Sequence, residues 1–463
     1  MLPNNSPWIK QLNRTRPIAS LDRDIETDLV IVGGGIAGVV TAFFALRDTE
    51  KSVVLVEADK IAHGATGHNA GQITSYFEKP LAVLVEEFGE KLSIEAQRSI
   101  ESAWLLLDEI ILDSKLQTPL YRFEGYTGLT EFGQVVTYLK GNKYRSLGGL
   151  FPVSALIAED WERLKDIPEE YKDFYSIVPK KDILDLLETN NPDFVACLSY
   201  QKGCMNSAAF TEELVSYLST TYPNRFSFYE ESFVKNVKLL ENSAVLEVLD
   251  FKIRTERVVL CTNGFANFSI VNEVGKEINT DFHHSIFGRI GYMAGYIEPL
   301  DHPPTAISYF TKEKIDLSDP TGDTYFYLTR RPHTEEGESD RNFNLICTGG
   351  PEKVLPNGAL YSRAHFYDEE VRERINDFLF SNYNKHPKDT EYSFCWHGLM
   401  GYTPNGIRRV GPEPVNPVLM YNLGCNGVGI LPSVYGGKKI SQFVNGEELP
   451  PSIFDPRDQG IGN

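Results

Sequence analysis

Three glycines near the amino terminus have a spacing that suits the binding of a dinucleotide pyrophosphate. The segment 27–43 reads TDLVIVGGGIAGVVTAF and contains Gly33-x-Gly35-x-x-Gly38. Gly33 permits a tight turn, Gly35 lets the backbone approach a pyrophosphate, and Gly38 lets a helix pack against a strand. Glu57 follows further along the chain, where a carboxylate can accept hydrogen bonds from both hydroxyls of an adenosine ribose. Because a carboxylate disfavours a ribose 2′-phosphate, these residues predict FAD or NAD rather than NADP.

The elements that must position these glycines are a strand, a turn and a helix. Leu29–Val32 is rich in β-branched residues and predicts a buried strand, Ile36–Leu46 suits a helix, and SVVLVEAD at 52–59 predicts the next strand. This order strengthens the prediction, because the fingerprint needs a strand before it and a helix that opens within it. The uncharged stretch 29–46 approaches the length of a membrane span. Three consecutive glycines at its centre and the strand that follows argue against a span.

Composition and charge exclude several classes of partner. The chain has 463 residues, of which 41% are hydrophobic and 24% charged, as in an ordinary soluble protein of two interleaved domains. Its net charge of -19 repels nucleic acid and anionic lipid surfaces. The six cysteines are scattered without metal-ligand spacing, and the amino terminus lacks the apolar core of a signal peptide. We therefore expect no metal, no nucleic-acid partner, no membrane span and a cytoplasmic location.

A second glycine-rich segment decides between FAD and NAD. HGATGHNAGQI, at 63–73, directly follows the second predicted strand and its turn. It resembles the Gly-Ala-Ser/Thr-Gly-x-Asn-x-Gly loop of the FAD-dependent amine and amino-acid oxidoreductases, the family that includes D-amino acid oxidase, glycine oxidase and sarcosine oxidase. The matching positions are Gly64, Ala65, Thr66, Gly67, Asn69 and Gly71. The resemblance implies that this loop lines the pyrophosphate and the flavin, where small residues let main-chain N–H groups reach the cofactor.

Three later segments are similar to the same family. Residues 233–267 look like its second FAD segment, whose last strand ends at the edge where ligands bind in open α/β sheets. GLMGYTPNGIRRVG, at 398–411, resembles Gly-x-x-x-x-Thr-Pro-Asp-x-x-Pro-x-x-Gly. The segment 422–447 resembles the closing segment whose backbone caps the flavin pyrimidine ring. The resemblance thus covers nearly the whole chain in order.

Some positions depart from the family pattern. Asn405 stands where the family usually has Asp, Arg408 replaces the usual Pro, and Cys425-Asn426 stands where Gly-His-Ser is common. These differences make a substrate assignment from the family alone unsafe. Ser6-Pro7-Trp8, with Arg16-Pro17 before the first strand, looks most like the gamma-glutamylputrescine oxidoreductase branch, which acts on amines.

The fingerprint and the resemblance together predict a set of cofactor-binding residues. They are Gly33, Gly35, Ile36, Ala37, Gly38, Glu57, Ala58, Gly64, Ala65, Thr66, His68, Asn69, Ala70, Gly71, Gln72, Val234, Thr262, Gly264, Gly401, Asn426, Gly427, Val428 and Gly429. The sequence leaves open three possible relations between His68 and FAD. A histidine in a similar loop of the related dimethylglycine dehydrogenase is joined covalently to the flavin 8-methyl group, and noncovalent contact with FAD or exposure at the surface are the alternatives.

The order of elements predicts an α/β fold with two interleaved parts. One is a Rossmann-like FAD-binding domain of the glutathione-reductase type, and the other is an α+β substrate domain built on a mostly antiparallel sheet. The polar run 333–342 predicts an exposed hairpin loop in the second part. We assign 1–92, 204–281 and 395–463 to the FAD-binding domain and 93–203 and 282–394 to the substrate domain.

The predicted strands of the substrate domain are rich in tyrosine. Tyr292, Tyr296, Tyr309, Tyr325 and Tyr327 can form cation–π contacts with an amine. The same residues also suit half-buried positions of ordinary strands. Both interpretations stay open at this point.

The resemblance implies oxidation of a C–N bond in a primary or secondary amine or amino acid. In that reaction a hydride leaves the carbon for flavin N5, water hydrolyses the imine, and oxygen reoxidises the flavin. The expected partners are a small-molecule amine and oxygen or another electron acceptor. The alternatives are a flavin dehydrogenase that passes electrons to a quinone or protein carrier, and a non-catalytic FAD-binding protein.

No triad or metal motif identifies catalytic residues. Trp396 and His397 are candidates because they directly precede the 398–411 segment, and Tyr292 is a candidate from the substrate strands. Arg289 and Arg330 can bind a substrate carboxylate bidentately or form structural ion pairs.

Overall fold

The computed structural model describes residues 2–265, 267–278, 286–311, 325–334, 342–355, 360–387 and 390–456. The helices are α1 Pro7–Lys10, α2 Ile36–Asp48, α3 Leu81–Phe88, α4 Glu90–Ser114, α5 Phe132–Leu147, α6 Lys180–Leu186, α7 Ser207–Thr221, α8 Glu369–Asn382 and α9 Ile430–Val444. Short 3-10 helices cover Ala65–Gly67, Leu164–Asp166 and Glu169–Phe174.

The strands fall into two sheets. The first ten are β1 Ile25–Val32, β2 Val53–Val56, β3 Gln72–Thr74, β4 Tyr121–Leu129, β5 Ser154–Ala158, β6 Ser176–Val178, β7 Ala196–Cys204, β8 Phe226–Tyr229, β9 Val234–Leu239 and β10 Ala244–Val248. The others are β11 Phe251–Leu260, β12 Ser269–Asn272, β13 Phe287–Pro299, β14 Thr305–Phe310, β15 Tyr325–Thr334, β16 Asn342–Val354, β17 Phe394–Tyr402, β18 Arg409–Pro412 and β19 Leu419–Leu423.

The first sheet has a parallel centre, as a dinucleotide-binding fold requires. Its order is β12-β9-β10-β11-β1-β2-β8, with β19 paired to β11 and β18 paired to β19. β1 runs parallel to both β2 and β11, and β8 runs parallel to β2. The carboxyl ends of these strands therefore meet at one edge, where ligands bind in open α/β sheets. The predicted Rossmann-like part is confirmed.

The second sheet is mostly antiparallel, which confirms the predicted α+β part. Its order is β17-β13-β16-β15-β14-β4-β7-β5-β6, with β3 paired to β7. In the described residues the parallel pairs are β4 with β14 and β5 with β6. β3 and most of β17, which the predicted boundaries assign to the FAD-binding domain, lie in this sheet. The boundaries themselves stay a prediction.

Helix α2 is buried on every side, which explains its lack of charge up to Leu46. All residues from Ile36 to Leu46 are buried between the first sheet and helices α7 and α9. Gly437 of α9 lies so close to α2 that an added Cβ would meet Thr41 N at 3.0 Å. A helix that is apolar all round is therefore a core helix here. Within the described residues, no helix is both long and apolar enough to cross a bilayer.

The structure bears on the polar run 333–342 and on the cysteines. The polar run 333–342 was expected to be exposed, but His333 belongs to β15 and is buried, while 335–341 lies outside the described residues. All six cysteines carry free thiols, and five of them are buried.

Candidate cofactor and substrate site

A cavity of about 630 Å³ opens at the carboxyl ends of β1, β2 and β11. Gly33 has a φ of +112°, and an added Cβ would lie 2.6 Å from Cys261 O at the end of β11. A Cβ on Gly38 would overlap Gly33 O. These glycines thus allow the tight turn and the close packing of α2 on β1 that the fingerprint requires.

Glu57 lies directly after β2 and lines the cavity. Its Oε2 accepts a hydrogen bond from Gly34 N at 2.6 Å, and its Oε1 accepts one from Asp59 N at 2.9 Å. Burial raises the pKa of this carboxyl group, and the hydrogen bond from Gly34 opposes that shift. Two main-chain donors therefore fix the carboxylate at the position where the fingerprint places the adenosine ribose.

The loop 64–72 is braced by the amino-terminal segment. Trp8 Nε1 and Trp396 Nε1 both donate to Asn69 O, the second at 3.1 Å. Ser6 Oγ donates to Gly67 O at 2.5 Å, and Asn69 Oδ1 accepts from Gly71 N at 2.7 Å. Sequence reasoning used Ser6-Pro7-Trp8 only as a family resemblance. The structure adds that these residues hold the loop against the cavity.

Most of the predicted cofactor-binding residues line this cavity. They are Gly33, Gly35, Ile36, Ala37, Glu57, Ala58, Gly64, Ala65, Thr66, His68, Asn69, Ala70, Gln72, Val234, Thr262, Gly427, Val428 and Gly429. The others shape the surrounding backbone. A Cβ on Gly71 would meet Trp8, one on Gly264 would meet Ile286, and one on Gly38 or Gly401 would overlap a backbone carbonyl. Asn426 Oδ1 accepts from Thr403 N at 2.8 Å.

Two buried polar groups show that the cavity suits a dinucleotide. Thr262 Oγ1 is buried without a hydrogen-bond partner among the described residues and faces the cavity. Arg408 is buried, lines the cavity, and donates to the Asn422 side chain at 2.7 Å and to Asn422 O at 2.9 Å. Burial lowers the pKa of Arg408 to about 10. An anionic, hydrogen-bonding ligand would compensate both the unpaired hydroxyl and the buried cation, so these residues fit FAD.

His68 lines the cavity rather than the outer surface. Its Nδ1 lies 3.0 Å from Gly64 O, and burial lowers the pKa of the imidazole to about 4. The ring is therefore neutral at neutral pH. This placement favours contact with the cofactor over surface exposure.

We expect that acid precipitation of the holoprotein will show which contact His68 makes with FAD. A neutral imidazole held at the cavity wall is a competent nucleophile, so covalent attachment would leave a yellow pellet that loses its flavin in His68→Ala. Noncovalent contact would release all FAD into the supernatant from the unmutated protein. His63→Ala is the control, because His63 precedes the same loop but does not line the cavity.

None of the five candidate catalytic residues lines the cavity. Trp396 is fully buried and braces the 64–72 loop. The ring nitrogens of His397 lie 3.0 Å from Tyr361 Oη and 3.0 Å from His365 O. Tyr292 packs edge-on against Tyr367. Because the polar atoms of Trp396 and His397 have partners within the protein, we leave these three residues out of the proposed substrate site.

The two candidate arginines differ in their surroundings. Arg330 is buried and donates to both carboxylate oxygens of Glu188 at 2.7 and 2.8 Å, and to Tyr383 Oη at 2.7 Å. The two side chains form a structural ion pair and do not line the cavity. Arg289 Nη1 lies 3.5 Å from Glu352 Oε2, and Glu352 does line the cavity. Arg289 therefore stands behind the cavity wall rather than in it.

Two carboxyl groups that the sequence analysis missed face the same cavity. Glu78 Oε1 and Oε2 accept hydrogen bonds from Tyr325 Oη at 2.9 and 3.1 Å. A Cβ on Gly427, in the predicted flavin-capping segment, would collide with the Glu78 carboxylate. Burial raises the pKa of Glu78 to about 7, and burial with the nearby charge of Glu78 raises the pKa of Glu352 to about 7. No sequence motif surrounds either residue, so no local signal marked them.

Aromatic and basic groups surround these carboxylates. Tyr325 and Tyr327 alternate on β15 and line the cavity, whereas Tyr292, Tyr296 and Tyr309 belong to a separate hydrophobic core. Behind the wall, Tyr402 Oη lies 3.4 Å from Glu352 Oε1. Lys202 is buried with its Nζ 5.7 Å from the centre of the Tyr76 ring, and burial lowers the pKa of this amine to about 7. Tyr76 lines the cavity beside Glu78.

Two curated proteins are similar to parts of this chain. The chain is 25% identical over 297 residues, 63% of its length, to the putative Rieske 2Fe-2S iron-sulfur protein YhfW of Bacillus subtilis (strain 168), and this match spans 51% of that protein. It is 31% identical over 85 residues to gamma-glutamylputrescine oxidoreductase of Escherichia coli (strain K12), which is 18% of this chain and 20% of that one. The matches thus span about half or less of these curated relatives.

One solved structure and one protein family are similar to this chain over most of its length. Glycine oxidase from Geobacillus kaustophilus is similar in fold with a TM-score of 0.64 at 16% identity, over 95% of this chain and 100% of that chain. The FAD dependent oxidoreductase family matches residues 28–443, which include the glycine fingerprint, the 64–72 loop and most of the 422–447 segment. The chain therefore belongs to the FAD dependent oxidoreductase family.

Proposed function

We propose that this protein oxidises the C–N bond of a primary or secondary amine, with FAD as the electron acceptor and oxygen as the final oxidant. The observation that carries the proposal is the pair of partly buried carboxyl groups, Glu78 and Glu352, in the wall of the dinucleotide cavity. Tyr325 and Tyr327 stand beside them. Carboxylates and aromatic faces together are the groups that bind an ammonium ion.

The charges around this pair support an amine more than an amino acid or a hydroxy acid. A substrate carboxylate would need an arginine free to bind it bidentately. Arg330 is paired with Glu188 away from the cavity, and Arg289 lies beside Glu352. A second anion would therefore approach two carboxyl groups, and neither of these two arginines lines the cavity to bind it.

In this proposal, Glu78 and Tyr325 hold the substrate amine, and Glu78 accepts one proton from it. FAD, when bound, supplies the oxidising power for the C–N bond. The Glu78 carboxylate would accept the ammonium N–H, and, with its pKa near 7, it can take that proton to leave a neutral amine. The Tyr325 hydroxyl group donates to the same carboxylate and so stabilises its charged form.

We expect a panel of amines to reduce the flavin of the holoprotein when the two are mixed without oxygen. n-Propylamine, N-methylpropylamine and 4-phenylbutylamine represent the proposed class, and lactate and glycolate represent hydroxy acids. Bleaching of the visible flavin absorbance by amines but not by hydroxy acids supports the proposal. Reduction by hydroxy acids alone would overturn it, and flavin that stays oxidised with the whole panel would favour a non-catalytic FAD-binding protein.

A second candidate function is that of a dehydrogenase that passes electrons to a carrier. The observation that favours it is the similarity to the Bacillus subtilis protein, which is named as a putative Rieske 2Fe-2S iron-sulfur protein. Iron-sulfur clusters carry electrons. Aerobic turnover of a bleaching amine separates the two candidates. Stoichiometric hydrogen peroxide supports the oxidase, whereas reoxidation by an added quinone but not by oxygen supports the dehydrogenase. A cytoplasmic location stays a prediction of the sequence.

A further inference from the structure

A second cavity of about 340 Å³ adjoins the dinucleotide cavity. We call it the side chamber, and its walls come from α4, α5, β7 and the segment 75–81. Tyr76, Glu78 and Tyr325 line both cavities. These three side chains form the partition between the side chamber and the proposed amine site.

The partition holds the group that would bind the ammonium ion. Tyr325 Oη donates to the Glu78 carboxylate, and the Tyr325 ring stacks on Phe310, with ring centres 4.8 Å apart and planes inclined by 14°. The Tyr76 ring, which also lines both cavities, lies 5.3 Å from the Tyr200 ring. Phe310 and Tyr200 line the side chamber. An amine held at Glu78 in the main cavity would thus have its substituent within reach of the side chamber.

Aromatic rings and small polar side chains line the side chamber, and its charged groups other than Glu78 are paired. Phe77, Trp104 and Tyr138 join the rings already named. Arg145 Nη1 pairs with Glu101 Oε1 at 2.7 Å, and Lys79 Nζ pairs with Glu87 Oε1 at 2.6 Å. Because these charged lining groups already have partners, the chamber favours an uncharged occupant, and its aromatic rings favour one with an apolar part.

The volume of the side chamber sets the size of that occupant. An apolar protein cavity of about 150 Å³ is large enough to bind benzene. The chamber, at about 340 Å³, therefore has room for a phenyl ring and several methylene groups. A methyl or propyl group would leave most of it unfilled.

We propose that the side chamber binds the non-reacting substituent of the substrate, an uncharged aryl or long alkyl group attached to the amine that Glu78 holds. This inference rests on the proposed amine oxidation for the identity of the bound molecule as a substrate. The amine site and the side chamber together then select arylalkyl or long-chain alkyl amines over small ones.

Blocking the side chamber from α5 tests the inference. Gly141 is buried and lines the chamber, and an added Cβ would make ordinary contacts with Leu81 Cβ at 3.8 Å and Ala82 N at 3.9 Å. Gly141→Leu would therefore extend into the chamber. Gly133→Leu is the matched control on the same helix, because Gly133 is exposed and nothing lies within 4 Å of an added Cβ. Thr137→Phe, one turn before Gly141, blocks the chamber from a half-buried position.

The readout is binding of two quaternary ammonium probes to the holoprotein, followed by the visible flavin spectrum. Trimethyl(4-phenylbutyl)ammonium occupies both parts of the proposed site, and tetramethylammonium occupies only the amine site. Both cations keep their charge at every pH and lack the lone pair that C–N oxidation requires, so binding is measured without turnover.

We expect Gly141→Leu and Thr137→Phe to raise the dissociation constant of the phenylbutyl probe about ten- to hundredfold, the loss expected for one buried aromatic group. Tetramethylammonium binding should change less than about twofold by the same arithmetic, and Gly133→Leu should change neither. Equal weakening of both probes, or no change in either, would overturn the inference. Probe discrimination without flavin reduction by any amine would instead overturn the proposed oxidation and leave the two-part binding site.

Discussion

Glu57→Ala is expected to raise the dissociation constant of FAD about 30- to 150-fold. The carboxylate lies at the end of β2, held by Gly34 N and Asp59 N, where it can accept hydrogen bonds from the adenosine ribose. Loss of charge-assisted hydrogen bonds at this position costs about 2–3 kcal/mol. Titration of the apoprotein with FAD, followed by flavin fluorescence, measures the change directly.

Two further variants separate ribose binding from general damage to the fold. Glu57→Gln keeps a side-chain oxygen that can accept from Gly34 N but lacks the charge, so we expect a smaller loss of FAD affinity than in Glu57→Ala. Glu50→Ala removes a carboxylate that is fully exposed, and it should bind FAD normally. Unchanged FAD affinity in Glu57→Ala, or purification of the unmutated protein with NAD instead of FAD, would contradict the assigned role.

Glu78→Gln is expected to weaken the binding of a quaternary ammonium ion about 10- to 150-fold at pH 8. The cation loses the Coulomb attraction of the carboxylate, about 1.5–3 kcal/mol, which lies between the values for a close pair in water and at a protein surface. Tetramethylammonium is again the probe, because its charge does not titrate. The same variant should lower kcat/KM for n-propylamine by a similar factor. Glu87→Gln is the matched control, since Glu87 pairs with Lys79 and does not line the dinucleotide cavity.

The pH dependence of that binding has a definite sign. The pKa of Glu78 and that of Glu352 both lie at about 7, above the ordinary range of glutamate. The carboxyl groups therefore lose their protons as the pH rises through about 7, and affinity for tetramethylammonium should increase over that interval. Because each carboxyl group holds its proton more tightly in the folded protein than in the unfolded chain, the free energy of unfolding of the amine-free protein falls as the pH rises from the unfolded to the folded pKa.

Two variants of this carboxylate pair should shift the binding profile in opposite directions. In Glu78→Gln the remaining Glu352 loses a like-charged neighbour, so its pKa falls and the rise in affinity moves to lower pH. In Tyr325→Phe the Glu78 carboxylate loses its hydroxyl donor, so its pKa increases and the rise moves to higher pH. A profile that is the same in all three proteins would show that these carboxyl groups do not bind the cation.

The cofactor part of the site was accessible from sequence because its determinants are local. Gly33, Gly35 and Gly38 lie within one strand–turn–helix unit, and Glu57 ends the adjoining strand. Their roles depend on backbone conformation and on contacts between neighbouring elements, and spacing along the chain encodes both. The same holds for the 64–72 loop, in which small residues close together in the sequence line the same dinucleotide cavity.

The substrate part of the site was decided by the tertiary structure. Glu78 follows β3 and Glu352 belongs to β16, and their partners Tyr325 and Arg289 come from two further strands of the second sheet. None of these residues has a neighbour in sequence that signals its role, and the candidates chosen by proximity to a motif, Trp396 and His397, lie outside the cavity.

By itself, the sequence determined the family, the cofactor and the two-part architecture, because repeated local patterns specify the strand–turn–helix unit and its glycines. Only the tertiary structure decided which charged groups face the cavity and which are paired elsewhere. Arg330 and Arg289 are equivalent candidates in the sequence, yet one is paired with Glu188 and the other stands beside Glu352. The physical reason is that burial and charge pairing are properties of side chains brought together from distant strands, and spacing along the chain does not encode them.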